Sequence, residues 1–257
     1  MTGNVRNTGT NRAPMDAMRK TALAGGVFYL ITFLASIPAL GLLDPVLHNT
    51  HFILGAGSEN RVLWGVLLDV INAFAGIGTA VALFPVMKRW SESFALGFVT
   101  SRVLEAATIV CGVVSLLAVV TLRQDLAGAT GADAGTLVTV GRSLVAVRDW
   151  TFLLGPGLMP VVSAALLGTL MYRSRLVPRV IPVMGLIGAP LLLASTTATL
   201  FGIFGQTSSA GIVLGLPLAT WELSLGLWLT FKGFKRSSLP TGSTTAGAPS
   251  AYSHAAA

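Results

Sequence analysis

The sequence predicts an all-α fold, a polytopic membrane helix bundle with six transmembrane helices. Three observations carry this. Six apolar stretches are each long enough to cross a bilayer, which takes about 20 residues at about 1.5 Å of rise each. Only 11% of the 257 residues are charged, and mean hydropathy is +0.75; soluble domains carry about 25% charged residues. Lys and Arg gather in alternate loops, the pattern of a sided membrane protein.

The first span is predicted over Thr21–Leu43. Its apolar core is too long for a signal peptide, whose core is about 7–15 residues, so it reads as an uncleaved helix. The second, Val62–Met87, repeats small residues four apart, Gly76 with Ala80 and Gly78 with Ala82. That spacing lets helices approach closely, and packing within the bundle is its simplest use. The third, Phe94–Leu122, holds Cys111, the single cysteine. No disulfide within the chain is possible, and a small packing role is expected for the thiol.

The fourth span is predicted over Thr151–Tyr172 and contains Gly155-Pro156-Gly157 and then Pro160. Each proline lacks the donor for the carbonyl four residues earlier, here Phe152 and Pro156, so a kinked or broken helix follows. Before it, Gly135–Val147 carries Leu137, Val138, Val140, Leu144, Val145 and Val147. This weakly amphipathic helix either lies at the outer interface or extends the fourth span. In the fifth span, Val180–Phe204, Pro182 falls near the start and Pro190 should bend the helix. The sixth is Ser209–Phe231. Trp64, Trp90, Trp150, Tyr172 and Trp228 fall near predicted span ends, as an aromatic belt requires.

The basic residues set the expected sidedness. Arg6, Arg12, Arg19, Lys20, Lys88, Arg89, Arg173, Arg175, Arg179, Lys232, Lys235 and Arg236 fall on one side, and only Arg61, Arg123, Arg142 and Arg148 on the other. Both termini are therefore expected in the cytoplasm. The net charge of +7 reflects this bias, so the expected partner is the lipid bilayer and not nucleic acid. Residues 1–18 read as a disordered cytoplasmic arm, 19–235 as the six-helix transmembrane domain, and 236–257 as a disordered cytoplasmic tail rich in Ser, Thr, Gly, Pro and Ala.

Ionisable groups at bilayer depth are costly and are either paired or functional. Asp69 falls in the second span, about two turns from its outer end and within reach of outer water. Arg102 and Glu105 stand three apart in the third span and can pair on one helix face. Glu222 lies near the middle of the sixth with no basic residue in its own helix, and Arg148 and Asp149 stand where the fourth begins. Asp69, Arg102, Glu105, Asp149 and Glu222 are thus candidates for binding a small polar solute or an ion. The broken turn at Gly155, Pro156, Gly157 and Pro160 adds a device that transporters use at polar sites. The alternative is a structural or regulatory membrane protein, a partner of another membrane component, whose charges only lock helix packing.

Other classes find less support. The histidines are His48, His51 and His254, none within a span, so haem ligation inside the bundle is disfavoured. His48 and His51 have no third metal ligand near in sequence. No G-x-x-x-x-G-K-[ST] loop and no nucleophile–base set is visible. No catalytic residue, cofactor or metal is expected.

Five motifs together carry a resemblance: Arg19-Lys20-Thr21-Ala22-Leu23, Ser101-Arg102-Val103-Leu104-Glu105-Ala106, Trp150-Thr151-Phe152-Leu153-Leu154-Gly155-Pro156-Gly157, Tyr172-Arg173-Ser174 and Trp221-Glu222-Leu223-Ser224-Leu225-Gly226. The chain resembles, over about Met18 to Lys235, a bacterial membrane family known as domain-of-unknown-function family 4386. The resemblance implies a multi-pass protein of the bacterial plasma membrane and places Arg102, Glu105 and Glu222 in recognisable motifs. It implies no chemistry.

Overall fold

The computed structural model describes residues 16–126, 130–206 and 208–235. The expected arm, except for residues 16–18, and the whole expected tail lie outside the described residues. So do Arg6, Arg12, Arg236 and His254.

Among the described residues seven α-helices follow in order: α1 (Ala17–His48), α2 (Glu59–Met87), α3 (Glu92–Asp125), α4 (Ala132–Leu154), α5 (Met159–Ser174), α6 (Val180–Leu200) and α7 (Ser209–Phe231). A short 3-10 turn, Phe52–Leu54, joins α1 to α2. No strand occurs among the described residues. Among the described residues six segments are long and apolar enough to cross a membrane, α4 and α5 together forming the fourth over Asp133–Ser174. This is a multi-pass membrane protein.

Helices α1, α2 and α3 pack in sequence order, α3 touches both halves of the fourth span, α5, α6 and α7 follow in turn, and α7 returns to α1 to close a ring. One end of the ring carries Ala17 and Phe231 and is called here the terminal end. The opposite end carries the 3-10 turn and is called the far end. Glycine makes the closure between α1 and α7 close: a Cβ on Gly26 would meet Thr230 Oγ1 at 2.5 Å and Gly226 O at 2.8 Å. Arginine seals helix ends whose last carbonyls have no intrahelical donor. Arg19 donates to Leu229 O at 2.9 Å and Thr230 O at 2.6 Å. At the far end Arg123 donates to the carbonyls of Phe52 and Ala56, both at 2.8 Å, and its guanidinium lies 4.4 Å from the Phe52 ring centre. Ser91 and Ser208 cap α3 and α7 by accepting from Phe94 N at 3.3 Å and Gly211 N at 3.1 Å.

The interior holds two apolar cores. The terminal-end core gathers Tyr29, Leu83, Phe98, Leu167, Met171, Trp221 and Leu225. The far-end core gathers Leu43, Phe52, Val62, Val66, Val113 and Leu116. Between them lies a polar layer.

Several expectations change. The stretch Gly135–Val147 extends the fourth span, because α4 runs unbroken from Ala132. The span therefore begins well before Thr151. Arg148 and Asp149 stand deep within it, not at its start, and Trp150 is not at its end. Trp150 is instead half exposed on the bundle's outer face. Helix α6 ends at Leu200, short of Phe204. Cys111 is exposed on the outer face of α3 rather than packed in the bundle. Gly78 serves packing within the chain: a Cβ there would meet the Phe28 ring of α1 at 2.7 Å.

Candidate functional site

Arg102 stands ten residues into α3, about 15 Å from its terminal end by helical rise. Its aliphatic stem and guanidinium are enclosed by the terminal-end core, with the guanidinium 5.1 Å from the Tyr29 ring centre and 5.8 Å from that of Phe98. Arg102 is only 3% exposed. Its Nη1 donates to Glu105 Oε2 at 2.9 Å, one turn along the same helix. Its Nη2 donates to Glu222 Oε1 at 2.8 Å, across the bundle on α7. The expected Arg102–Glu105 pair is therefore a triad, with one cation shared between two carboxylates.

A second pair lies nearer the far end. Asp69 stands ten residues into α2, and its Oδ2 lies 3.5 Å from Arg148 Nη2 of α4. Asp69 and Arg148 are 7% and 4% exposed, so Asp69 is buried and paired rather than open to outer water. The Arg148 guanidinium also sits 4.1 Å from the Phe152 ring centre. Distance from the outer end of the second span places Asp69 within reach of water, but that distance does not register Arg148 packing against it from α4. With α4 continuous, the two residues meet inside the bundle.

A cavity of about 310 Å³ joins these groups. Asp69, Arg102, Glu105 and Glu222 line it, along with Thr32, Ser36 and Asn72. Its apolar wall includes Phe33, Ile37, Leu40, Phe152, Pro156 and Pro160. Four of the five predicted polar candidates thus converge. Asp149 does not. It lines a separate recess of about 260 Å³ near the far end with Asn49, Thr50 and Arg142, and its backbone carbonyl accepts from Gln206 Nε2 at 2.9 Å.

The break in the fourth span is present between α4 and α5 and borders the cavity through Pro156 and Pro160. Glycine is required there by space. A Cβ on Gly155 would run into Thr108 Oγ1 of α3, and one on Gly157 into the carbonyl of Leu153. The Phe152 carbonyl is not left free as the proline rule predicts, because Gly157 N donates to it at 3.0 Å. Gly155 N donates to Thr151 O at 2.9 Å, Met159 N to Gly155 O at 2.8 Å, and Leu158 N and Val161 N to Gly155 O and Leu158 O, both at 3.1 Å. The Gly157 carbonyl accepts from Thr196 Oγ1 of α6 at 2.8 Å.

Tyr29, Thr32, Ser36 and Asn72 were not singled out from the sequence, yet a signal existed. Thr32 and Ser36 stand four apart on α1, one turn beyond Tyr29, and Asn72 stands three after Asp69, so each group shares a helix face. No group of three or more His, Cys, Asp or Glu residues able to hold a metal ion occurs among the described residues. His48 instead pairs with Asp44 at 3.0 Å.

The chain matches the family described as "Domain of unknown function (DUF4386)" over residues 24–233 and belongs to that family. No curated protein and no solved structure matches it.

Proposed function

We propose that this family member binds a small, positively charged solute in the cavity between its two cores and moves it through the membrane. One observation carries the reading: the cavity is lined by three carboxylates and a single guanidinium. Counting Arg148 behind Asp69, three acidic and two basic groups share the layer, so the carboxyl groups outnumber the guanidinium groups by one and Arg102 serves two of them. An uncompensated charge at bilayer depth is costly. A cationic solute or a proton would balance it.

The backbone at the break supports a cation over an anion. Discontinuous transporter helices offer anionic solutes a free helix N-terminus. Here Gly157, Leu158, Met159 and Val161 all donate to carbonyls of the same turn. Both Nη atoms of Arg102 hold carboxylates, and its Nε–H is buried without a hydrogen-bond partner, so the preference for a cation rests on the excess of carboxyl groups and on the closed backbone of the turn.

The test is binding of propylammonium, followed by thermal unfolding of the purified chain in bilayer nanodiscs. Saturable stabilisation that Glu222→Gln removes would support the reading. Equal behaviour of the parent and variant chains would end it. Flux is tested separately by uptake of labelled propylammonium into proteoliposomes. The excess of basic residues on one side supports cytoplasmic termini, and the bacterial plasma membrane is the setting that the family resemblance implies. A second reading, a structural or regulatory membrane protein, is favoured by the triad itself: Arg102 already satisfies Glu105 and Glu222, as a packing lock should. It predicts no ligand response.

A further inference from the structure

The cavity is not enclosed on all sides by the ring. Where α1 and α7 meet near the terminal end they are in tight contact, Gly226 lying against Tyr29 Cβ, Leu30 and Gly26 O. Toward the far end the cavity comes between them, bounded by Phe33, Ile37 and Leu40 on α1 and by Ala219 and Glu222 on α7. Ile37 is 64% and Leu40 49% exposed. On α7, Ile212, Val213 and Leu216 are more than half exposed. Ile37 and Leu40 thus wall the cavity and are exposed as well. An opening between α1 and α7 at this level would lead into the apolar part of the bilayer.

The lining differs in chemistry from part to part. One part of the lining carries the carboxyl groups of Glu222, Glu105 and Asp69, and the part between α1 and α7 is Ile37, Leu40 and Ala219. A volume of about 310 Å³ is about ten water volumes at about 30 Å³ each. That admits a head group and a few methylenes, and a longer chain would have to leave through a mouth between α1 and α7.

We infer that the solute is a single-chain cationic amphiphile, whose ammonium head sits at Glu222, Glu105 and Asp69 and whose alkyl chain passes between α1 and α7 into the bilayer. The inference rests on the cation reading above. It names the substrate class and the route of entry. Phe33, which lines the cavity with the carboxylates, offers an aromatic ring of the kind an ammonium head favours, and a lipid-facing exit keeps the chain out of water.

The experiment compares dodecylammonium, propylammonium and neutral dodecanol on the full chain in phosphatidylcholine nanodiscs, read as thermal stabilisation. Dodecylammonium is expected to half-saturate at a concentration at least 10-fold lower than propylammonium, and dodecanol to stabilise much less. Long chains concentrate in any bilayer, so variants decide. Ile37→Trp and Ala219→Phe each narrow the mouth from one side, and both should shrink the dodecyl-to-propyl ratio to threefold or less. Ile37 is so exposed that a larger side chain can fold there even if Ala219→Phe does not. If the two amines bind equally, or the ratio survives Ile37→Trp, the lateral route is wrong and the cation site stands. If dodecanol matches dodecylammonium, the head assignment is wrong. If neither amine stabilises the chain, the cation reading fails and this inference with it.

Discussion

Removing Arg102 is expected to be the most damaging single change in the polar layer. Arg102→Met keeps the stem that packs against Tyr29 and Phe98 but deletes the donors that hold Glu105 Oε2 at 2.9 Å and Glu222 Oε1 at 2.8 Å. Two carboxylates are then left facing each other at 13% and 15% side-chain exposure. Breaking a buried ion pair from one side costs about 3–5 kcal/mol, and here two partners are stranded by one change. The triad predicts an asymmetry that a simple pair does not. Glu105→Gln removes one carboxylate but leaves Arg102 and Glu222 matched one to one, so its cost should stay within about 1 kcal/mol, lost charge-assisted bonding being offset by relieved repulsion. Replacing Arg102 and Glu105 together still strands Glu222. Only the triple variant Arg102→Met, Glu105→Gln, Glu222→Gln is neutral, and it should recover most of the loss. Thermal unfolding and monodisperse yield in mild detergent report all four proteins. An Arg102→Met protein as stable as the parent, or a double variant as stable as the triple, would refute the shared-cation account.

Three further outcomes are expected. Asp69→Asn should destabilise the chain by about 2–4 kcal/mol by leaving Arg148 buried without its carboxylate, and adding Arg148→Met should restore much of it; an additive double variant, by thermal unfolding, would mean that the 3.5 Å approach carries no coupling. Gly155→Ala should cost about 1–3 kcal/mol because its Cβ collides with Thr108 Oγ1, and Thr108→Ala in the same chain should relieve it; failure of that rescue in the same unfolding assay would place the strain elsewhere. A reporter fused after Lys235 should be cytoplasmic and one inserted near Thr130 on the opposite side of the membrane, and a periplasmic C-terminus would reverse the sidedness read from the basic residues.

The spans were legible because bilayer thickness imposes a length that local composition records. Helix α7 coincides with its predicted Ser209–Phe231 range, and α2 and α3 exceed theirs only at the ends. The fourth span was misread at its start because Arg142, Arg148 and Asp149 lower local hydropathy, and charge near the start of an apolar run resembles a helix end. A one-dimensional sequence does not show that Arg148 meets Asp69 on another helix. The same holds for the triad. The spacing of Arg102 and Glu105 on one face is local and readable, whereas the approach of Glu222 is set by α7 packing on α1 through Gly26 and Gly226. The polar face of α1, with Thr32 and Ser36, was readable by period but carries no charge to draw attention to it.

The broken turn has a different use from the one its composition suggests. A Gly-Pro-Gly turn in a span invites the idea that free amides face a ligand, yet here Gly155, Gly157, Leu158, Met159 and Val161 all donate within the turn, and the Gly157 carbonyl is taken by Thr196. Lipid leaves no other solution, since an unsatisfied backbone group there costs several kcal/mol or so. What the turn contributes is shape. Pro156 and Pro160 set donor-free rings against the cavity, and Gly155 lets α3 come close enough to hold Thr108 against the turn. The break thus furnishes an apolar wall opposite the carboxylates, and recognition of any solute falls to side chains on α2, α3 and α7. Selectivity should accordingly follow Glu222, Glu105 and Asp69, while changes at Pro156 or Pro160 alter the cavity's volume and the stability of the fourth span without changing the sign of charge it accepts.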